Sequence, residues 1–285
     1  MEQRFLDLYD DYLHGLMERR AFMDKLAKLA GGTAAASAIL PVIQNSSAHA
    51  FEVLENDPRV TTETVVIPGV DKLTGYLAKP NPMPKGKVGA IVVIGENRGV
   101  TTYIEDICRH YATEGFIALG VDYLSTSGGT PIDQDEGARK VGQLKPGEAI
   151  NFFKLGAAYL YTRPDVGKVG SVGYCWGGAV VNQFAVVDPT LKAIVAYYGS
   201  NPDLKAVPNI KAAVLEHYAG LEERTLLGIP AFEDAMIKAG TTYQLHIYPR
   251  ANHGFTNDMN PSRFDRAATE LAWGRTIAWL HKYLG

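Results

Sequence analysis

Cysteine is scarce: Cys108 and Cys175 are the only two among 285 residues. A disulfide framework is therefore excluded, and at most one bridge is available. Cys108 falls on the apolar face of a helical pattern over 103–111, whereas Cys175 sits in a glycine turn, so the demanding geometry of a bridge is not expected to be met. There is no C-x-x-C, and the seven histidines show neither H-E-x-x-H nor clustered spacing, so no metal centre and no cofactor is expected. Positive charge is not in excess either. A net charge of -3, with no basic cluster, gives no electrostatic reason to expect nucleic acid as a partner. Internal repeats are absent. No apolar run is long enough, and free enough of glycine, to predict a stable membrane span.

What is present is ordinary for a soluble enzyme: 46% hydrophobic and 21% charged residues, with glycines at the ends of apolar runs where turns belong. The first fifty residues stand apart. Arg19-Arg20-Ala21-Phe22-Met23-Asp24-Lys25 fits a twin-arginine pattern, a glycine- and alanine-rich run follows from Leu26 to Ile43, and Ala48-His49-Ala50 is a small-x-small cleavage site. Together these predict export to the periplasm by the twin-arginine machinery, with the mature form starting at Phe51. The acids before the arginines (Asp7, Asp10, Asp11, Glu18) run against that pattern. They allow instead a retained amphipathic helix built on Phe5, Leu6, Leu8, Tyr9, Tyr12, Leu13 and Leu16, in a protein that stays in the cytoplasm. Residues 1–50 are thus a signal segment or a retained helix, and 51–285 a single domain.

Along that domain short apolar runs alternate with helical patterns. Val60–Ile67 and Leu73–Ala78 predict a hairpin, and Val88–Ile94 is apolar throughout, as a strand buried on both faces is. Further strands are expected at Phe116–Val121, Lys168–Val172, Ala193–Tyr198, Ala212–Tyr218 and Tyr243–Tyr248. Helices are expected at about 102–114, 133–141, 147–161, 177–184, 229–239 and 262–283. This alternation predicts an α/β fold with a mostly parallel sheet of about eight strands and helices on both faces.

The most informative five residues are Gly173-Tyr174-Cys175-Trp176-Gly177. They lie between a strand and a helix, and small neighbours are what a sharp strand-to-helix turn needs. The residue at the apex would project into a cleft, with the next backbone N–H, that of Trp176, aimed at a developing oxyanion. In parallel sheets function gathers at the carboxyl ends of strands. The strand after Ala212 runs into Glu222 and Glu223, and the strand after Tyr243 runs into His253. Nucleophile, acid, histidine is the chain order that α/β-hydrolases use.

Gly-Tyr-Cys-Trp-Gly-Gly at 173–178, Gly-Glu-Asn-Arg-Gly at 95–99 and Asn-His-Gly-Phe at 252–255 resemble the dienelactone hydrolase (carboxymethylenebutenolidase) family, in its exported branch. The likeness runs from about Val60 to Leu284. It implies an α/β-hydrolase fold and a cofactor-free hydrolase in which Cys175 attacks the carbonyl of a lactone or small ester. His253 would be the general base and acid, and Glu222 the acid that orients it. Glu96 would hold the resting thiol and take its proton once substrate enters. The N–H groups of Trp176 and Asn97 would hold the oxyanion. Independently of any likeness, an imidazole and a helix N-terminus both favour the reactive thiolate.

Two positions depart from the family pattern. Residue 222 is Glu where the family has Asp, which leaves Glu223 and Asp203 as alternative acids. Residue 257 is Asn where dienelactone specialists carry an arginine that grips the substrate carboxylate, so Arg98, Arg250 or Arg263 would have to replace it. Trp176, Tyr123, Tyr198 and Phe255 would line an aromatic cleft for a small flat or apolar ester, or simply pack the core. The competing readings are a catalytically weak member that binds a small ligand or partner, and a redox-sensing thiol. A homo-oligomer is compatible with the sequence.

Overall fold

The computed structural model describes Leu8, residues 17–33, 35–38 and 40, and residues 53–145 and 147–285. The chain forms two compact units, Met1–Glu52 with Gly254–Leu271, and Val53–His253 with Ala272–Gly285. The segment 254–271, which the sequence assigns to the single body, thus groups with the N-terminal residues.

In the first unit, helix α1 (Arg19–Ala30) ends on Gly31, whose left-handed backbone (φ 83°) lets its N–H reach the Ala27 carbonyl. The helix buries Phe22 and Leu26 in a small apolar cluster with Leu8 and Ala36. Arg19 and Arg20 open this helix and are exposed. The Ala48-His49-Ala50 site, Phe51 and nearly all of the amphipathic stretch before Glu18 lie outside the described residues. Among the described residues, no helix is long and apolar enough to cross a membrane.

The second unit holds the sheet. Its strands are β1 (Val60–Val66), β2 (Thr74–Pro80), β3 (Val88–Ile94), β4 (Ile117–Asp122), β5 (Val166–Tyr174), β6 (Ala193–Tyr197), β7 (Ala213–Ala219) and β8 (Tyr243–Tyr248). They lie in the order β1-β2-β4-β3-β5-β6-β7-β8. The β1–β2 and β2–β4 pairs are antiparallel and the others parallel, so the expected mostly parallel eight-stranded sheet is what the chain builds.

Helices α2 (Thr102–Thr113), α3 (Gln134–Gly142), α4 (Glu148–Thr162), α5 (Trp176–Val187), the short α6 (Glu223–Leu226), α7 (Ile229–Ala239) and α8 (Arg266–Leu284) complete the chain. β4 shows how both sheet faces are covered. Leu119 and Val121 point toward Gly156 of α4, whereas Gly120 between them faces the Cys108 sulfur of α2. Burial of both faces is why the inner strands read as unbroken apolar runs; every residue from Gly89 to Ile94 is buried.

Most elements lie within a few residues of their expected places. Helix α8 starts at Arg266 rather than 262, because the Asp265 carboxylate accepts the Ala268 N–H at 2.9 Å and fixes the start of the first turn. The turn α6 and a 3-10 turn over Leu204–Asn209 were not anticipated, being too short for any periodicity to show.

Candidate active site

The site forms at the carboxyl ends of β3, β5, β7 and β8. Cys175 stands between β5 and α5 with φ 58° and ψ -117°, a backbone conformation that costs a non-glycine residue on the order of 1–3 kcal/mol. Neighbouring hydrogen bonds hold it there. Its N–H donates to the Tyr197 carbonyl at 3.1 Å, and its carbonyl accepts from Gly178 and Ala179 at 3.0 and 3.2 Å. The turn is so tight that a Cβ at Gly173 would collide with the Gly177 backbone, and one at Gly177 with the carbonyls of Ile94 and Gly95. The expected sharp strand-to-helix turn, with Cys175 at its apex, is therefore present.

Glu222 and His253 are brought together by a zipped pair of loops. The Gly220 N–H donates to Tyr248 O at 2.8 Å, and the Leu221 N–H to Ala251 O at 3.1 Å. This pairing extends the β7–β8 register beyond the strands and sets the residues after Leu221 and Ala251 side by side. Glu222 Oε2 lies 2.8 Å from His253 Nδ1, and Cys175 Sγ 2.9 Å from His253 Nε2. The added methylene of Glu222, relative to Asp, does not stop the carboxylate from reaching the ring. The alternative acids lie elsewhere. Glu223 is exposed on α6, and Asp203 is exposed and accepts the Lys205 N–H at 3.0 Å.

The imidazole is partly buried, its side chain 29% exposed. That burial by itself disfavours the charged ring. Hydrogen bonds and charge from Cys175 and Glu222 outweigh it and raise the His253 pKa to about 9. At neutral pH each ring nitrogen then carries a proton, one directed at the carboxylate and the other at the sulfur. Tyr198 packs on this ring with centroids 5.0 Å apart. Its own backbone is in the left-handed region (φ 41°), and its N–H donates to His217 O at 2.7 Å.

The remaining site residues are placed as follows. Trp176 opens α5, where its N–H has no acceptor one turn back. Glu96, Asn97 and Arg98 form the half-buried loop after β3. Arg98 is turned to α3, donating to Gln134 O at 2.8 Å and lying 3.4 Å from Asp135, so its guanidinium is already engaged. Arg250 and Arg263 are exposed. Tyr123 is buried against Trp176, ring centroids 5.1 Å apart, and its hydroxyl is tied to the loop after β3. Phe255 is buried, and its carbonyl accepts the Thr269 hydroxyl at 2.8 Å. Thr130, in the loop after β4, takes the Val100 N–H at 2.8 Å and donates to Asp122 at 2.9 Å. Nothing local marks such a residue; only the return of the chain past β4 brings it there. Both cysteines are free thiols, and burial pushes that of Cys108 far above its ordinary pKa.

An elbow residue, an acid and a histidine, in that chain order at the ends of β5, β7 and β8 of such a sheet, define an α/β-hydrolase. Comparison with known proteins narrows this. Residues 73–284 match the sequence model of the dienelactone hydrolase family, and the chain belongs to that family of hydrolases. Residues 1–32 match a separate model described as YqhI-like. Proteins of Saccharolobus solfataricus and Methylorubrum extorquens, each named "Putative carboxymethylenebutenolidase", are 30% identical to this chain. The first match spans 74% of this chain and 94% of that protein; the second spans 71% and 75%. Among solved structures, the dienelactone hydrolase of Anabaena variabilis superposes with a TM-score of 0.61 at 23% identity, covering 80% of this chain and 99% of that one. A dienelactone hydrolase-like promiscuous phosphotriesterase, P91, from metagenomic libraries gives 0.69 at 19% identity, covering 80% and 100%. At these identities the structural likeness concerns the fold.

Proposed function

We propose that the protein hydrolyses a lactone or small carboxylic ester through an acyl-thioester on Cys175. The observation that carries this reading is the unbroken contact from Glu222 through His253 to the Cys175 sulfur, 2.8 and 2.9 Å. The thiolate attacks the carbonyl carbon, and the oxygen that gains charge is held by the N–H groups of Trp176 and Asn97. His253, protonated, gives its proton to the leaving alkoxide, which departs as the alcohol. The neutral ring then takes a proton from water, whose oxygen attacks the thioester; the acid leaves and the sulfur is returned. Glu222 holds the ring in position and favours its charged form. Glu96 takes up the thiol proton when substrate enters the crevice and gives it back to the sulfur once the acid has left. Tyr198 beside the imidazole, with Trp176, suits a flat or apolar substrate.

The test is turnover of p-nitrophenyl acetate, with mass spectrometry of the quenched enzyme. An acyl group on the Cys175 peptide, and loss of turnover after one equivalent of iodoacetamide, are expected. No turnover and no adduct would instead identify a ligand-binding member of the fold. The acid is tested separately. Glu222→Gln should lower kcat by about 10²–10⁴-fold, because the ring loses the group that holds its orientation and charge. Glu223→Gln should stay within about twofold. Equal, small effects would place the acid elsewhere.

For location, we propose periplasmic export of the folded protein by the twin-arginine machinery. The reading is supported by Arg19-Arg20, the weakly apolar run to Ile43 and the Ala48-His49-Ala50 site. N-terminal sequencing of protein from its native host should begin near Phe51. Bulk protein that keeps Met1 would refute it, and would assign residues 1–50 to the mature cytoplasmic protein.

A further inference from the structure

The loop after β3 carries one of the two oxyanion donors, and a single phenol grips it at both ends. The Tyr123 hydroxyl donates to Glu96 O at 2.8 Å and accepts the Gly99 N–H at 2.9 Å. Glu96 O also accepts the Arg98 N–H at 2.8 Å, which folds the loop tightly around Asn97. The Glu96 carbonyl and the Asn97 N–H belong to one peptide unit. In a planar trans peptide these two dipoles point in opposite directions; the cis bond that the described residues contain is at Asn81-Pro82. Whatever holds the carbonyl therefore aims the N–H. Tyr123 is 1% exposed, so it pulls the carbonyl toward the protein interior and turns the Asn97 N–H the other way. Donation to the carbonyl also polarises the peptide and makes its N–H a stronger donor.

The phenol suits this task. Burial raises its pKa well above the ordinary value, so the hydroxyl stays neutral and keeps the proton it must donate. Its ring contacts Trp176 at 5.1 Å and Phe153 at 5.5 Å, which fixes the hydroxyl with little rotamer freedom. Trp176 supplies the other oxyanion N–H, so one side chain touches the segments that bear both donors. Beyond Gly99 the clamp continues. The Thr130 hydroxyl accepts the Val100 N–H at 2.8 Å and is itself anchored to Asp122 at 2.9 Å.

We infer that Tyr123 is a positioning residue for the oxyanion hole, aiming the Asn97 N–H through the Glu96 carbonyl, with Thr130 as its second anchor. This rests on the hydrolase reading above. It also gives Tyr123 a role different from that of a cleft wall.

The experiment compares a step that builds an oxyanion with one that does not. Ester hydrolysis passes through a tetrahedral oxyanion, whereas alkylation of Cys175 by iodoacetamide needs the reactive sulfur alone. Tyr123→Phe keeps the ring and removes one oxygen. It should lower kcat for p-nitrophenyl acetate by about 10–100-fold, leave KM within about threefold, and leave the alkylation rate within about twofold. Binding of a small aldehyde, which forms a hemithioacetal at Cys175 and mimics the intermediate, should weaken by a factor similar to the loss in kcat. Thr130→Val should show the same split, more weakly, and provides the comparison if the tyrosine variant is insoluble. Hydrolysis within about twofold of the parent in both variants would overturn the inference. So would hydrolysis and alkylation falling together, since that pattern belongs to general damage. A parent enzyme that forms no acyl group on Cys175 defeats the hydrolase reading itself, a result seen before any variant is measured.

Discussion

Cys175→Ala is expected to lower kcat/KM for a p-nitrophenyl ester by at least about 10⁴-fold, a loss of about 5.5 kcal/mol of transition-state stabilisation. The Cys175 sulfur combines a half-buried apex position, an imidazole at 2.9 Å and a helix N-terminus behind it. The oxyanion donors and bound water would remain, and they set the residual rate. The same variant reports on the imidazole. His253 is raised to about 9 by Cys175 first and Glu222 second, working against burial. Removing the sulfur removes the larger support, so the ring should titrate at least about one unit lower by NMR. A variant retaining a tenth of the activity, with an unmoved His253, would show that the reaction passes through another group.

Glu216→Gln should stabilise the protein at alkaline pH by an amount on the order of a few kcal/mol. Glu216 is fully buried on β7, and neither carboxylate oxygen has a hydrogen-bonding partner although Asn182 and Tyr218 are adjacent. The Asn182 Oδ1 and the Tyr243 hydroxyl are buried and unsatisfied as well. Burial pushes the Glu216 carboxyl up to about 8, the two neighbours pulling the other way. A carboxyl raised in the folded state holds its proton more tightly there than in the unfolded chain, where it ionises near 4.5. Its stabilising influence is thus complete below about pH 4.5 and drains away as pH rises to about 8, at about 1.4 kcal/mol per unit. Glutamine keeps the shape and cannot ionise. Unfolding curves of parent and variant should lie close together near pH 5 and diverge by several degrees by pH 8.5, with the variant higher. His253 loses its contribution in the same direction, from about 6.5 to about 9, but equally in both proteins, so the difference isolates Glu216. Parallel curves across that range would show that the carboxyl is not held in its neutral form.

Most of the sheet was legible because its strands are buried on both faces and so carry long apolar runs between glycines. The elbow was legible because its geometry admits only glycine at 173 and 177, and that steric demand is written directly into the chain. Other parts left no local trace. Glu216 lies inside an apolar strand with nothing to mark it as unpartnered, and Thr130 is an unremarkable loop residue until the chain returns past Val100. Tyr123 reads as a core or cleft aromatic, and only the fold shows that its hydroxyl reaches two backbone groups 24 and 27 positions earlier. The choice among Glu222, Glu223 and Asp203 was open on spacing alone. In the structure it is Glu222 that meets the imidazole, through the Gly220–Tyr248 and Leu221–Ala251 hydrogen bonds, which depend on two strands meeting across the sheet.

The sequence by itself determined the alternation of strand and helix, the sharp turn that presents Cys175, and the order in which acid and histidine follow it. These are local consequences of burial pattern and backbone sterics, complete within a few residues. Only the tertiary structure decided which carboxylate meets the imidazole and which hydroxyl grips the peptide between Glu96 and Asn97. Those choices turn on angstrom-scale distances between segments far apart in the chain, and only the packed sheet brings such segments into register.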